Sequence, residues 1–238
     1  MIDFFSEEKK HWWHIAKRAL VKQFIKGRGL DILVAGLGGG IICDELRSKG
    51  HKVTGIEISE LSCKHVSDNF KINVISGNLE NPLPFKNGSF DIVILADVLE
   101  HLDNDELLLR EASVCLKRGG AVIVTAPAYP HMWSSWDVRV NHKRRYSLAV
   151  IKDKLTGAGL CVKKASYFNT LLYPCVYVYR IALRLSGRKF FERSDFLVCS
   201  GRFAGGIAAL YYMIERRLLR VFDLPFGLSV FVIGGKDV

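Results

Sequence analysis

Between residues 31 and 126 the chain alternates short apolar runs with longer amphipathic stretches. "DILVAG", "KVTGIEI", "INVIS", "FDIVILA" and "AVIVTA" are rich in Val and Ile and apolar at consecutive positions, the pattern of strands buried on both faces. Between them, "GIICDELRSKG", "SELSCKHVSDNF" and "DNDELLLREASVCLKRGG" predict helices. In the last of these, Asp103 and Glu106 predict a capping box, while Leu108, Ala112 and Cys115 share a face. Lys117 and Arg118 are expected to complement the carboxy-terminal dipole before Gly119 and Gly120 end the helix. Asn87 and Gly88 predict a turn ahead of the fourth strand. Strand and helix in alternation predict an α/β fold with a parallel sheet covered by helices on both sides.

Past residue 126 the pattern changes. "APAYPHMWSSWDVRVNHKRRYS" reads as a long polar and aromatic loop, a type that is usually functional in compact domains. "LAVIKDKLTGAGL" then predicts a helix, "LCVKKASYFN" a strand, and Leu228 to Ile233 a final strand. About sixty residues dense in apolar and basic side chains separate the last two strands. In "RFAGGIAALYYMIERRLLRVF", Phe203, Ile207, Leu210, Ile214, Leu218 and Val221 fall at helical spacing, with Glu215, Arg216, Arg217 and Arg220 clustered behind. "LLYPCVYVYRIALRLSGRK" is similar, with Pro174 and Arg180 as interruptions. Neither reaches the roughly 20 apolar residues that span a bilayer. At the amino end, "HWWHIAKRAL" predicts a helix that pairs Trp13 with Lys17 and His14 with Arg18.

A chain of 238 residues can bury one sizeable core. One domain is expected, with an amino-terminal helical cap (1–30), a ligand-binding core (31–168), a basic, apolar helical insertion (169–228) and the final strand (229–238). Charge is segregated along it. Residues 31–138 carry nine Lys/Arg against fifteen Asp/Glu, whereas residues 139–238 carry eighteen against six. The basic half suits an anionic partner such as a phosphate, a carboxylate or a lipid headgroup layer, or is a solvated surface. Six cysteines (Cys43, Cys63, Cys115, Cys161, Cys175, Cys199) without a C-x-x-C pair read as buried free thiols of a reducing compartment. "MIDFFSEEKK" does not have the pattern of a signal peptide, so a cytoplasmic protein is expected.

The densest chemical signal is "ILVAGLGGGIICDELRSKGHKVTGIEIS". A dinucleotide-binding loop wants G-x-G-x-x-G or A, and counting from Gly36 the third position is Ile41, so that fingerprint fails. Gly36, Gly38 and Gly40 still allow a ligand close to the backbone, and Glu57 is placed to accept from a ribose diol. The alternative at this point is a plain tight strand-to-helix turn.

"LVAGLGGG", "VTGIEIS", "SGNLENPLPFKNGSFDIVILADVLEHL" and "LLREASVCLKRGGAVIVTAP" resemble, in order and spacing, the motifs of the class I S-adenosylmethionine (SAM) dependent methyltransferases, over about residues 30–168 and again at 225–236. The resemblance implies a doubly wound, Rossmann-like seven-stranded sheet, mostly parallel with the last strand antiparallel, and SAM as the cofactor. By position, Gly36, Gly38 and Gly40 would line the methionine half, Glu57 would hold the ribose, and Asn78 and Leu79 would flank the adenine. Asp97 to Glu100 would face the sulfonium. Val34 and Asn78 stand where acidic residues are usual in that family, and Asn78 keeps a side-chain oxygen able to accept from the adenine amine. "HWW" and Arg144, Arg145 and Tyr146 are similar to segments of a subset of these enzymes. Adjacent arginines suit a phosphate or carboxylate of the substrate, while the "HWW" helix either caps the cleft or docks its tryptophans into the core.

Methyl transfer is an in-line displacement that asks mainly for alignment, so neither a metal site nor a catalytic triad is expected. For a hydroxyl acceptor a base is also needed, and His142, His131, Asp137 and Glu100 are the candidates. A small or lipid-linked, anionic or hydrophobic acceptor is expected, with oxygen the acceptor atom. The alternative is a SAM-binding regulatory or scaffold protein without turnover. Nucleic acid is disfavoured because "ADVLEH" lacks the N-P-P-Y type of motif. The insertion reads as a substrate lid, as a membrane-surface anchor or as a homodimer interface.

Overall fold

A computed structural model describes residues 11–185 and 202–237, without the side chains of residues 183, 184 and 202–209. Seven strands, β1 (Asp31–Ala35), β2 (Lys52–Glu57), β3 (Asn73–Ser76), β4 (Phe90–Ala96), β5 (Leu116–Pro127), β6 (Cys161–Phe168) and β7 (Ser229–Gly235), form one sheet in the order β3-β2-β1-β4-β5-β7-β6. β1 to β5 pair in parallel, and β7 runs antiparallel between β5 and β6. The apolar runs are buried as their composition demands: Ile32 to Ala35 and Ile92 to Leu95 are sealed between helical layers. The helices are α1 (Trp12–Gln23), α2 (Ile41–Arg47), α3 (Glu60–Phe70), α4 (Asp105–Cys115), α5 (Ser135–Arg139), α6 (Leu148–Gly157), α7 (Leu172–Leu185) and α8 (Arg202–Leu218). Two short 3-10 turns, Leu99–His101 and Pro130–Met132, follow β4 and β5.

Both ends of α4 differ from the sequence expectation. Its cap is Asn104, whose side chain accepts from Leu107 N, while Asp103 N donates to Glu80. The helix stops at Cys115, and Lys117 is already strand, where its ammonium joins Asp31 at 2.6 Å and Asp91 at 2.9 Å. The carboxy-terminal carbonyls are instead served by Lys236, whose Nζ donates to Ser113 O and Leu116 O. A residue more than a hundred positions away performs the role that local sequence assigned to Lys117 and Arg118.

The described part of the insertion is helical where the sequence predicts it, and its apolar stripe faces outward, while Glu215, expected behind that stripe with the arginines, is drawn into the core. Leu210, Ile214, Leu218 and Val221 are exposed, whereas Tyr212, Glu215 and Leu219 are buried. Glu215 faces inward because it accepts from Asn169 N, Thr170 N and the Tyr211 hydroxyl, serving the chain as it enters α7. Pro174 does not interrupt α7, since it lies in the first turn where its missing N–H is harmless. Among the described residues no helix is long and apolar enough to cross a membrane. The described cysteines are free, Cys43 and Cys115 buried but Cys161 and Cys175 exposed. The opening segment, Cys199, Phe203 and Ile207 lie outside the described side chains.

The amino-terminal helix docks on the core and touches the carboxyl end of β4. Trp13 stacks on Phe168 at 5.5 Å, and Lys17 reaches the end of β4. Arg18 and Lys22 pair with Glu45 of α2. Trp13→Ala is expected to cost about 3–5 kcal/mol in urea unfolding, the usual loss for emptying a buried aromatic site. A cost below about 1 kcal/mol would mean that α1 is not docked on the core.

Candidate functional site

In a sheet ordered 3-2-1-4, the chain leaves β1 and β4 in opposite directions, and the crevice between their carboxyl ends is where such folds bind ligands. Gly36 follows β1 with φ +78°, and a Cβ there would sit 2.5 Å from Val98 Cγ2. Gly40 starts α2 with φ +75°, and a Cβ would meet Val66 Cγ2 at 2.4 Å. Both positions therefore need glycine for backbone conformation and for helix–strand approach. Gly38, at φ +55°, lies between them.

Glu57 closes the far side of this loop. Its Oε2 accepts from Leu37 N at 3.0 Å, and its Oε1 from Ile58 N and Ser59 N, both at 3.0 Å. A carboxylate offers about four acceptor positions, so one remains on Oε2. Glu57 can thus take one ribose hydroxyl, not the two expected from sequence, because its first task is to tie the glycine loop to β2. The Asn78 oxygen accepts from Glu80 N at 2.9 Å, which leaves one of its two acceptor positions, and its NH₂, for a base. Leu79 is buried in the core beneath it, as is Val34 beneath the glycine loop.

Across the crevice, Asp97 leaves β4 with φ +55°, an unusual conformation for a non-glycine residue. Thr125 Oγ1 donates to its Oδ1 at 2.7 Å, and Lys17 Nζ lies 2.6 Å from Oδ2. Desolvation alone would raise the Asp97 carboxyl, but the charge and hydrogen bond of Lys17 with the Thr125 bond outweigh it and hold the carboxyl low. Glu100, fully buried one turn on, is the opposite case. Burial, then the Asp97 charge, push its carboxyl well above the usual range, and among the described residues neither of its oxygens has a hydrogen-bond partner.

The third wall comes from the loop after β5. Asp137, fully buried, accepts from His142 Nδ1 at 2.8 Å, from Arg145 Nε and its terminal nitrogen at 2.7 and 2.8 Å, and from Ser134 N and Oγ at 2.8 and 3.0 Å. Burial opposes this charge, yet the bonds from His142 and Arg145 hold the Asp137 carboxyl far below the ordinary range. An ionised carboxylate only accepts, so His142 carries its proton on Nδ1 and presents the bare Nε2 lone pair on the other side. That nitrogen lies 3.9 Å from Glu100 Oε1, and the rings of His101 and His142 meet edge to face at 4.8 Å. Glu100, His101 and His142 bring one ligand atom each to within 4.8 Å of one another.

His131 is elsewhere. It is exposed and stacks on Tyr129 at 5.0 Å, with Tyr173 and Tyr177 of α7 beside it, as part of an aromatic wall. The three residues read as substrate ligands are engaged within the protein. The forked face of Arg145 is taken up by Asp137, and Arg144 donates to Asp105 and to Asp103 O. Tyr146, buried, donates to Leu99 O at 3.0 Å and Asp105 Oδ2 at 2.6 Å. "RRY" thereby fixes the Leu99–His101 turn and His142 in place. Sequence reasoning missed Lys17, Thr125 and the anchoring role of Asp137. Lys17 and Thr125 meet Asp97 from 80 and 28 residues away, which nothing local announces, whereas the partners of Asp137 lie in its own loop and become legible only once the loop is folded.

Residues 33–124 match a family model described as a methyltransferase domain. A protein named as a probable S-adenosylmethionine-dependent methyltransferase, from Mycolicibacterium smegmatis, is 28% identical over 161 residues, 66% of this chain and 62% of its own. A ubiquinone biosynthesis O-methyltransferase from Maricaulis maris is 31% identical over 100 residues, 40% of this chain and 39% of its own. The chain thus spans less than two thirds of the length of these relatives. A solved SAM-dependent methyltransferase from Archaeoglobus fulgidus superposes with a TM-score of 0.64 at 17% identity, covering 99% of this chain and 100% of that one.

Two outcomes test this geometry. Arg145→Met strips the main partner of a buried charge and is expected to lower stability by about 3–5 kcal/mol in chemical denaturation. An unchanged midpoint would return Arg145 to the role of a solvent-facing substrate ligand. His14, beside Lys17, Asp97, His11 and Arg18, is held down to about 3 by burial, then by the Lys17 charge, with only Asp97 opposing. Its neutral form is favoured by folding, so its contribution is complete above the unfolded value near 6.5 and declines as pH falls from there towards 3. His14→Gln is expected to flatten the pH dependence of stability in that window, and an unaltered profile would contradict it.

Proposed function

We propose that the chain, whose residues 33–124 match a methyltransferase domain, is a class I SAM-dependent methyltransferase that transfers a methyl group to an acceptor oxygen presented to Glu100 and His142. The observation that carries this reading is the crevice itself. Gly36 to Gly40, the unused Oε2 position of Glu57 and the Asn78 amide line one side of the switch point, and the Glu100–His101–His142 cluster lines the other.

The donor set fits SAM. Glu57 takes a ribose hydroxyl, the Asn78 amide faces the base, and the ionised Asp97 is a counter-charge for a cation at the end of β4. When bound, SAM supplies an electrophilic methyl on a positively charged sulfur. Everything else is the work of the chain. Lys17 and Thr125 hold Asp97 still, Tyr146 fixes the turn that carries Glu100, and the Lys17 contact ties α1 to the end of β4. Holding two reactants in line is worth about 7–11 kcal/mol of barrier, the largest part of what such a site must supply. Removal of the acceptor proton falls to the Glu100–His101–His142 cluster, where Asp137 keeps the His142 Nε2 lone pair directed inward.

An acceptor with an apolar or aromatic body is supported by the wall of Tyr129, His131, Tyr173 and Tyr177 and by the exposed Val178 and Ile181 further along α7. The relative named for ubiquinone biosynthesis acts on oxygen by its name, which supports oxygen as the atom methylated. Calorimetric titration with SAM is expected to show saturable binding that Glu57→Ala weakens about 10- to 100-fold, the range for losing hydrogen bonds to a charged group. Transfer of labelled methyl to phenolic but not to matched amine acceptors is the expected outcome. Binding without transfer to any acceptor would leave a SAM-binding protein without turnover, and retention of NADH in place of SAM would overturn the assignment of the crevice.

A further inference from the structure

We propose that Glu100, His101 and His142 form a divalent-cation site facing the acceptor. Two imidazoles and one carboxylate bring ligand atoms to within 4.8 Å of one another. That is somewhat wider than a metal with bonds of about 2.0–2.2 Å requires, and small side-chain rotations close the difference. Independent observations point to a ligand here. Glu100 is fully buried, and neither of its oxygens is hydrogen-bonded by the described residues, an arrangement that is costly unless something occupies it.

The surroundings are those of a histidine ligand. His142 donates its Nδ1–H to Asp137, which fixes the tautomer and turns Nε2 inward, as carboxylates behind metal-bound histidines do. Asp137 is itself held by Arg145 and Ser134, and the turn bearing Glu100 and His101 is pinned at Leu99 O by Tyr146 and at Glu100 O by Lys143 N. Imidazole ligands favour a first-row transition ion or zinc over magnesium or calcium. Three protein ligands leave coordination positions open.

The role of the ion, unlike its binding, rests on the methyl-transfer reading. An acceptor hydroxyl in an open position would be acidified by the cation. Its O–H bond breaks, the electron pair stays on oxygen and the proton leaves to water, since the His142 Nε2 that serves as base in the metal-free cluster is then a ligand of the cation. The oxygen then bonds to the methyl carbon as the sulfur–carbon bond breaks, with that pair remaining on sulfur. The favoured acceptor class is a phenol or alcohol with a second oxygen able to chelate.

The test needs no SAM. Full-length protein, freed of metal by a chelator, is titrated with Co²⁺ and followed by its visible d–d absorption. A single equivalent should bind, displaceable by Zn²⁺. Asp137→Asn should weaken it about 10- to 100-fold, the usual cost of losing such an outer partner, and His101→Ala and the isosteric Glu100→Gln at least as much. His131→Ala, which removes a histidine outside the cluster, should leave it unchanged. Circular dichroism identifies any variant that fails to fold, and Glu100→Gln then stands as the decisive substitution. Absence of saturable Co²⁺ binding, or equal binding by wild type and Glu100→Gln, would overturn the site. Loss of SAM binding with Co²⁺ binding intact would overturn the methyl-transfer reading alone.

Discussion

One buried carboxylate organises the half of the site that faces the acceptor. Asp137 has no contact with solvent and stays ionised only because His142, Arg145 and Ser134 surround it with donors. A charge buried this way is tolerable only when every partner is present, so the loop from Pro130 to Tyr146 has little freedom to adopt another arrangement. Because of that constraint, His142 is oriented, the Leu99–His101 turn is gripped from Tyr146, and Glu100 is kept from water with no hydrogen-bond partner among the described residues.

The other half of the site follows from the sheet. The chain leaves the carboxyl ends of the paired strands β1 and β4 in opposite directions, and the loops that follow supply Gly36 to Gly40 on one side and Asp97 on the other. Glu57 links the glycine loop to β2, and Lys17 links Asp97 to α1. The cofactor side is built mainly from backbone and the acceptor side mainly from side chains. Alignment of two reactants, with a single proton to be moved, is what such a pairing can provide.

Much of the architecture was legible because it is local. Val- and Ile-rich runs at 31–35, 90–96 and 121–126 have few alternatives to a buried parallel strand, and the glycines announce the turn after β1. The failures share one cause, which is that the partner of each side chain is set by the folded arrangement rather than by local pattern. Periodicity put Glu215 on the solvent side of α8, but its three donors lie at Asn169, Thr170 and Tyr211, two of them in another element. Lys117 was read as a helix-end cation, whereas Lys236 does that work. Arg145 was read as a substrate ligand because adjacent arginines suit anions, but the nearest anion is Asp137 of the same loop. His142, Asp137 and Glu100 were each named as candidate acids or bases from residue type, and only the fold shows them as one cluster with His101.

The tautomer of His142 is the most direct observable of this arrangement. In protein labelled with ¹⁵N at histidine, long-range ¹H–¹⁵N correlation at neutral pH should show His142 protonated on Nδ1, with a downfield proton shared with Asp137 and an unprotonated Nε2. A His142 protonated on Nε2 would mean that its lone pair faces Asp137 rather than Glu100. The site could then neither accept a proton from the acceptor nor hold a cation there.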